Sequence, residues 1–251
     1  MAKIAIVTGS SRGLGRDMAL ALAKNGIDVI VTYQSKQTEA DKVVAEIKTL
    51  NQKAVALQLD VSKSSGFTDF ANKIQSVLQS EFGASKFDYL VNNAGVGIHS
   101  GYMDTTEEQF DSMVNIHLKS AFFLSQKLLP LMNDGGAIVN ISTGLARFTL
   151  PGYDAYAVMK GGVETLTKYQ AKSLGARGIR VNVVAPGAIE TDFGGGAVRD
   201  NKDLNTMIAS QTALGRVGKP DDIGSVVAFL CSDAAKWVNA QRIEVSGGMF
   251  L

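Results

Sequence analysis

The chain has 251 residues, 45% hydrophobic and 20% charged, with a formal net charge of +1. That length allows one large domain or two small ones with a core big enough to need no disulfide or metal staple. The charge balance argues against a basic nucleic-acid-binding face, no apolar run approaches the roughly 20 residues of a membrane span, and a single cysteine excludes an internal disulfide. Met1–Lys3 leads directly into an apolar run with no signal-peptide layout, so a cytoplasmic protein is expected. Cys231, in the apolar run "VVAFLCSD", reads as inert core.

In chain order, "KIAIVTG" (3–9) reads as the first strand and a helix follows over 14–25. Between them lies "TGSSRGLG" (8–15). A turn this tight needs residues without a Cβ at Gly9, Gly13 and Gly15, and the backbone of Ser11, Arg12 and Leu14 would then come close to a pyrophosphate. The helix N-terminus adds unpaired N–H groups and a positive dipole end. The spacing departs from G-x-G-x-x-G, so the placement between strand and helix carries the reading as a dinucleotide loop. The second strand, "DVIVTY" (28–33), runs into "QSKQT" with no acidic residue before Glu39. An acid there would hold the adenosine ribose and repel a 2′-phosphate. Ser35, Lys36 and Arg12 instead suit that phosphate, which predicts NADP(H) over NAD(H).

The remaining strands are expected at 54–61, 87–95, 137–142, 179–187 and 242–245, and the remaining helices at 37–50, 64–81, 106–131, 154–175 and 220–231. Most strands are continuously apolar, as when both faces are covered. The alternation predicts a single doubly wound Rossmann-type α/β domain over 1–251, with a seven-stranded parallel sheet flanked by helices. One break in rhythm, 187–220, predicts a substrate lid at about 188–219, mobile at Gly194–Gly196.

"GYDAYAVMKGG" (152–162) carries two tyrosines and one lysine. Residues four apart share a helix face, so Lys160 belongs beside Tyr156, while Tyr153 sits at the helix mouth and lines a pocket. A free phenol titrates near 10. An adjacent ammonium is expected to pull Tyr156 towards neutrality and make the two an acid–base pair.

At this point the sequence resembles the short-chain dehydrogenase/reductase family along almost its entire length. The matching pieces stand in family order: "TGSSRGLG" (8–15), Asp60-Val61, "NNAG" (92–95), Asn115 in "VNIHL", Ser142 in "NIST", "YAVMK" (156–160) and "NVVAPGAIETD" (182–192). The resemblance implies that Tyr156 exchanges a proton with a carbonyl or alcohol, that Ser142 steadies the substrate oxygen, and that Lys160 lowers the tyrosine pKa and holds the nicotinamide ribose. By the same likeness Asn115 holds a water that links Lys160 to solvent, and Asp60 contacts adenine with Val61 packed nearby. Asn93, Ala94 and Gly95 would lie under the adenosine ribose, and Pro186, Gly187, Ile189 and Thr191 along the nicotinamide. Asn92 and Asn93 also suit a role in tying strands together. Met159 departs from the serine or alanine common before the lysine and is expected only to reshape packing.

His117 reads as structural or interfacial, and His99 as a contact at the pocket rim. Leu145, Phe148, Tyr153 and Phe193 complete a mostly apolar pocket for a small carbonyl or alcohol substrate. No metal-ligand spacing and no G-x-S-x-G elbow occur. A carbonyl reductase or alcohol dehydrogenase is therefore expected. The main alternative is a 3-oxoacyl-[acyl-carrier-protein] reductase, for which Arg177 matches a carrier-binding position and Asp134 opposes one. A silent dinucleotide-binding protein is a more distant reading, because such proteins usually lose the tyrosine or lysine. The Ala-, Leu-, Phe- and Met-rich helices 106–131 and 154–175, with the apolar end "GGMFL", predict a homotetramer.

Overall fold

The computed structural model describes residues 2–251. Seven strands carry the fold: β1 (Lys3–Val7), β2 (Ile27–Tyr33), β3 (Ala54–Gln58), β4 (Phe87–Asn92), β5 (Met132–Ile141), β6 (Arg180–Pro186) and β7 (Arg242–Val245). They form one all-parallel sheet in the order β3-β2-β1-β4-β5-β6-β7. Residue parity sorts the strands onto two cores. Ala5 and Val7 of β1 pack under α1 (Gly13–Lys24), α2 (Gln37–Thr49) and α9 (Pro220–Leu230). Ile4 and Ile6 pack under α3 (Phe67–Val77), α5 (Ser120–Leu128) and α6 (Asp154–Leu174). Each fully buried Ile, Leu or Phe on these faces contributes about 1.5–3 kcal/mol, which is why both sides of the sheet must be covered.

Strand order reverses on either side of β1, so the carboxyl ends of β1 and β4 border a crevice, the position where open α/β sheets bind ligands. Three expectations change in detail. "NNAG" leaves the sheet after Asn92 and lies in that crevice as irregular chain. The segment 187–220 is largely helical, with a tight turn at Phe193–Gly196, α7 (Ala197–Asp200) and α8 (Lys202–Ser210). Gly194, Gly195 and Gly196 have φ of 61°, 73° and 81°, a left-handed run that side chains with a Cβ resist.

The expected helix 106–131 is broken. α4 (Glu107–Met113) starts at a Thr106–Gln109 capping box, and α5 begins only after a wide π turn at Val114–Lys119. There the Ser120 N–H donates to Asn115 O, five residues back, and Ser120 Oγ donates to Ile116 O. Single wide turns of this kind concentrate at functional positions.

Candidate active site

The glycine loop forms as expected. Gly9 and Gly13 have φ of 64° and 55°. A Cβ on Gly15 would lie 2.3 Å from Gly9 O and 2.5 Å from Asn93 Nδ2, so any side chain there would push the loop open. No side chain caps α1 and no acid stands in its first turn, which leaves its N-terminus to an anion. Asn93 holds the loop from below, its Nδ2 donating to Thr8 O (2.8 Å) and Gly9 O (3.2 Å). Ala94 N donates to Thr8 Oγ1, and Gly9 packs against Ala94. Asn92 donates to Asn140 and Ser125, so both asparagines tie strands together. Thr191 closes the cradle from the far side, next to Gly13, and accepts from Phe193 N.

The chemical centre lies at the carboxyl end of β5 and the start of α6. Tyr156 is buried, and the Thr143 side chain lies close enough to its phenol to lower its pKa. Ser142 does not reach it. The strand puts Asn140 and Ser142 on the α6 side, where Asn140 donates to Thr167 and Gln170 and Ser142 Oγ donates to Glu164 Oε1 at 2.7 Å. Glu164 is in turn paired with Arg242. The next residue, Thr143, is extended at φ −160°, ψ 154°, and turns the opposite way towards Tyr156. Ser142, expected to steady the substrate oxygen, is thus held by Glu164, and Thr143 is the hydroxyl on the Tyr156 side. The signal was legible: even-numbered residues of β5 face α6, which leaves 143 for the pocket.

Lys160 lies on the Tyr156 face of α6, with Nζ 5.5 Å from the ring centroid. It donates to Ile141 O at 2.7 Å rather than to the phenol. Burial pushes the Tyr156 pKa above its ordinary value, and the Thr143 hydrogen bond opposes that shift. Burial of the phenolate is the largest influence on Tyr156. Burial also lowers Lys160 to about 7. Lys160 lines a cavity of about 10 Å³ together with Thr8, Asn92, His117 and Ser120. Asn115 is not among the residues around that cavity. Its backbone sits in the wide turn, and the side chain brought to the site is His117, whose ring stands edge-on to Tyr156 at 5.1 Å. His117, read as structural or interfacial, is buried and stands next to Tyr156.

Comparison with known proteins agrees along the whole chain. The family described as Enoyl-(Acyl carrier protein) reductase matches residues 9–250. The 3-oxoacyl-[acyl-carrier-protein] reductase FabG of Staphylococcus epidermidis is 39% identical over 253 residues, spanning 100% of both chains. LugOII, a promiscuous reductase that catalyses a keto-reduction, is 37% identical, with a TM-score of 0.94 over 99% of this chain and 98% of its own. The angucycline C-6 ketoreductase LanV with bound NADP is 34% identical, with a TM-score of 0.93 over 99% and 95%. The chain belongs to the short-chain dehydrogenase/reductase family.

As a short-chain dehydrogenase/reductase it is an NAD(P)-dependent oxidoreductase of the carbonyl–alcohol class. The cradle fits such a coenzyme: an uncapped helix start, glycines where a Cβ would collide, and exposed Ser35 and Lys36 at the end of β2. Arg12, also exposed, reaches Asp192 of the 188–219 segment at 3.5 Å. Asp60 is oriented at the crevice rim by Ser62, whose N and Oγ donate to it, and Val61 lies beside the Lys160 cavity. Pro186 ends β6, Gly187 packs on Ser246 with its N–H donating to Val245 O, and Ile189 bridges to Gly218.

Around Tyr156, the Phe193 ring lies at 5.6 Å and covers Gly97, Leu145 packs alongside, and Tyr153 stands edge-on to His99 at 5.2 Å. Met159 packs behind Tyr156 with Met113, as expected. Phe148, expected in the same pocket, has other neighbours. It packs on Phe250 at 4.7 Å, within a separate cluster of Ile208, Val217 and Met249, because the short turn Gly144–Ala146 swings it away.

Proposed function

We propose that the protein is an NADP(H)-dependent reductase of a moderately apolar ketone or aldehyde, running in reverse on the alcohol. The observation that carries this is the buried Tyr156 with Lys160 Nζ 5.5 Å from its ring and the Thr143 side chain beside it, next to the glycine cradle. With its pKa raised by burial, Tyr156 is protonated at neutral pH and set to donate to a carbonyl oxygen. Thr143 orients that oxygen and stabilises the charge that develops on it. When bound, the nicotinamide supplies or accepts the hydride. Lys160 places a positive charge beside the phenol as it gives up its proton. Phe193, Leu145, Tyr153 and His99 surround the substrate and exclude water.

The coenzyme preference rests on Lys36 and Ser35, with no acid at the end of β2. Steady-state assay on a ketone panel with NADPH and NADH in parallel tests the reading. Tyr156→Phe is expected to lower kcat at least about 10²-fold while leaving NADPH affinity within a few-fold, and Lys36→Ala to raise the KM for NADPH far more than that for NADH. Near-normal turnover by Tyr156→Phe would overturn the mechanism.

A second reading, 3-oxoacyl-[acyl-carrier-protein] reductase, is favoured by the name of the 39%-identical relative. Against it, the Arg177 guanidinium is held by Asp134 at 2.7 Å and by the carbonyls of Leu129 and Met132. It lies at the end of α6, some 30 Å along the helix from Tyr156. Activity on an acyl-carrier substrate far above that on free ketones would support this second reading.

We also propose a homotetramer with a segment at 188–219 that closes over the substrate. Phe110, Phe122, Phe123, Val158 and Tyr169 are exposed on α4, α5 and α6, and Phe229, Trp237 and Leu251 are exposed towards the C-terminus. Two such faces are what a two-fold symmetric tetramer requires.

A further inference from the structure

Among the described residues, one buried side-chain nitrogen or oxygen lacks a hydrogen-bond partner: Nδ1 of His117. The ring is 3% exposed. Its Nε2 lies 2.8 Å from Val96 O, and since a carbonyl only accepts, Nε2 carries the proton and Nδ1 carries the lone pair. The ring is held in place by close packing. A Cβ on Gly95 would lie 2.7 Å from His117 Cε1, so only glycine at 95 leaves room for the imidazole. Burial, and then the nearby Lys160 charge, push His117 down to about 3 and keep it neutral.

Lys160 has the complementary deficit. Its ammonium has three protons, and one of them is used on Ile141 O. Both residues line the same cavity of about 10 Å³, about the least space that holds one water. Ser120 also lines it, with an oxygen that donates to Ile116 O and keeps its lone pairs.

We infer that His117 is a positioning residue for the reaction, its Nδ1 accepting from a single bound water that in turn accepts from Lys160. The inference rests on the reductase reading for its catalytic meaning. Its physical content does not depend on that reading. A water with Lys160, His117 and Ser120 as partners has the two to four contacts that fix a buried water. A hydrogen bond to the charged form of Lys160 raises its pKa against the pull of burial and keeps the positive charge next to Tyr156.

Two substitutions separate this role from that of a strut for the Val96 segment. In His117→Asn, the amide oxygen takes the place of Nδ1 as acceptor, and the contact with Val96 is lost. In His117→Gln, the amide nitrogen keeps the donation to Val96 O, and no acceptor remains at the δ position. The Lys160 pKa, followed by 15Nζ NMR in coenzyme-free protein, is expected to fall by about one unit in His117→Gln and to stay near wild type in His117→Asn. The kcat–pH profile for ketone reduction should shift with it, with kcat reduced about tenfold in the glutamine variant alone. The opposite ranking, with Gln like wild type and Asn impaired, would leave His117 as a strut.

The wild-type protein offers a check that needs no variant to fold. With only two histidines, 15N-histidine NMR should show His117 as the neutral Nε2–H tautomer, with an NOE to a long-lived water. An Nδ1–H tautomer, or no bound water, overturns the inference. Because neither NMR measurement uses turnover, wild-type protein inactive on every ketone would count against the reductase reading alone.

Discussion

Thr143→Val is expected to lower kcat for ketone reduction about 10²-fold or more, because it removes the hydroxyl beside Tyr156 and leaves the shape of the side chain. Thr143→Ser should remain within a few-fold of wild type. Ser142→Ala breaks only the bond to Glu164, so its cost belongs to stability: about 1 kcal/mol, or a Tm lower by about 2–4 °C, with kcat nearly unchanged. A large kcat loss in Ser142→Ala together with an unaffected Thr143→Val would return the role to Ser142. His117 makes a separate prediction for acid. Its folded pKa, about 3, lies below the ordinary 6.5, so between these values the unfolded chain binds a proton that the folded protein does not. The stability present above pH 6.5 is therefore lost as the pH falls from 6.5 towards 3. His117→Asn, which cannot titrate there, should show a smaller drop in urea midpoint between pH 7 and pH 4.5 than wild type. An equal drop would mean that other groups carry the acid sensitivity.

The element that binds the coenzyme depends on a backbone approach. Gly15→Ala puts a carbon where Gly9 O and Asn93 Nδ2 already sit, both parts of the loop's own scaffold. NADPH affinity, measured by fluorescence titration, is expected to fall at least about tenfold, with Tyr156 untouched. An alanine variant that binds normally would mean the loop can widen at no cost. The strand–glycine–helix unit was readable because every part of it is local: an apolar run, glycines at the turn, and an amphipathic helix. The capping box at Thr106–Gln109 was equally local. The wide turn at Val114–Lys119 was not, since the apolar period reads straight through it. The turn coincides with contacts to distant chain, including His117 on Val96 and on Tyr156. The helices inside 187–220 escaped for a related reason: three glycines interrupt a segment whose apolar residues pack on the C-terminus rather than on the sheet.

At the scale of the whole molecule, large apolar side chains are exposed on α6, at Val158 and Tyr169, and near the C-terminus, at Trp237 and Leu251. If each covers a two-fold contact, Val158→Arg should turn the proposed tetramer into a dimer by light scattering at micromolar concentration, with Tm reduced. A wild-type monomer at that concentration would remove the proposal. The sequence by itself determined the layered α/β fold, the glycine cradle, the Tyr156–Lys160 helix face and the inert, buried Cys231, because strand and helix periods and turn chemistry act over a few residues. Only the tertiary structure decided which hydroxyl stands beside Tyr156, that Phe148 packs on Phe250, that Arg177 is paired with Asp134, and that His117 lines the Lys160 cavity. Each of those outcomes is set by the direction of a side chain relative to residues tens of positions away. Desolvation, which controls the Tyr156 and Lys160 pKa values, exists only once the chain has closed around them.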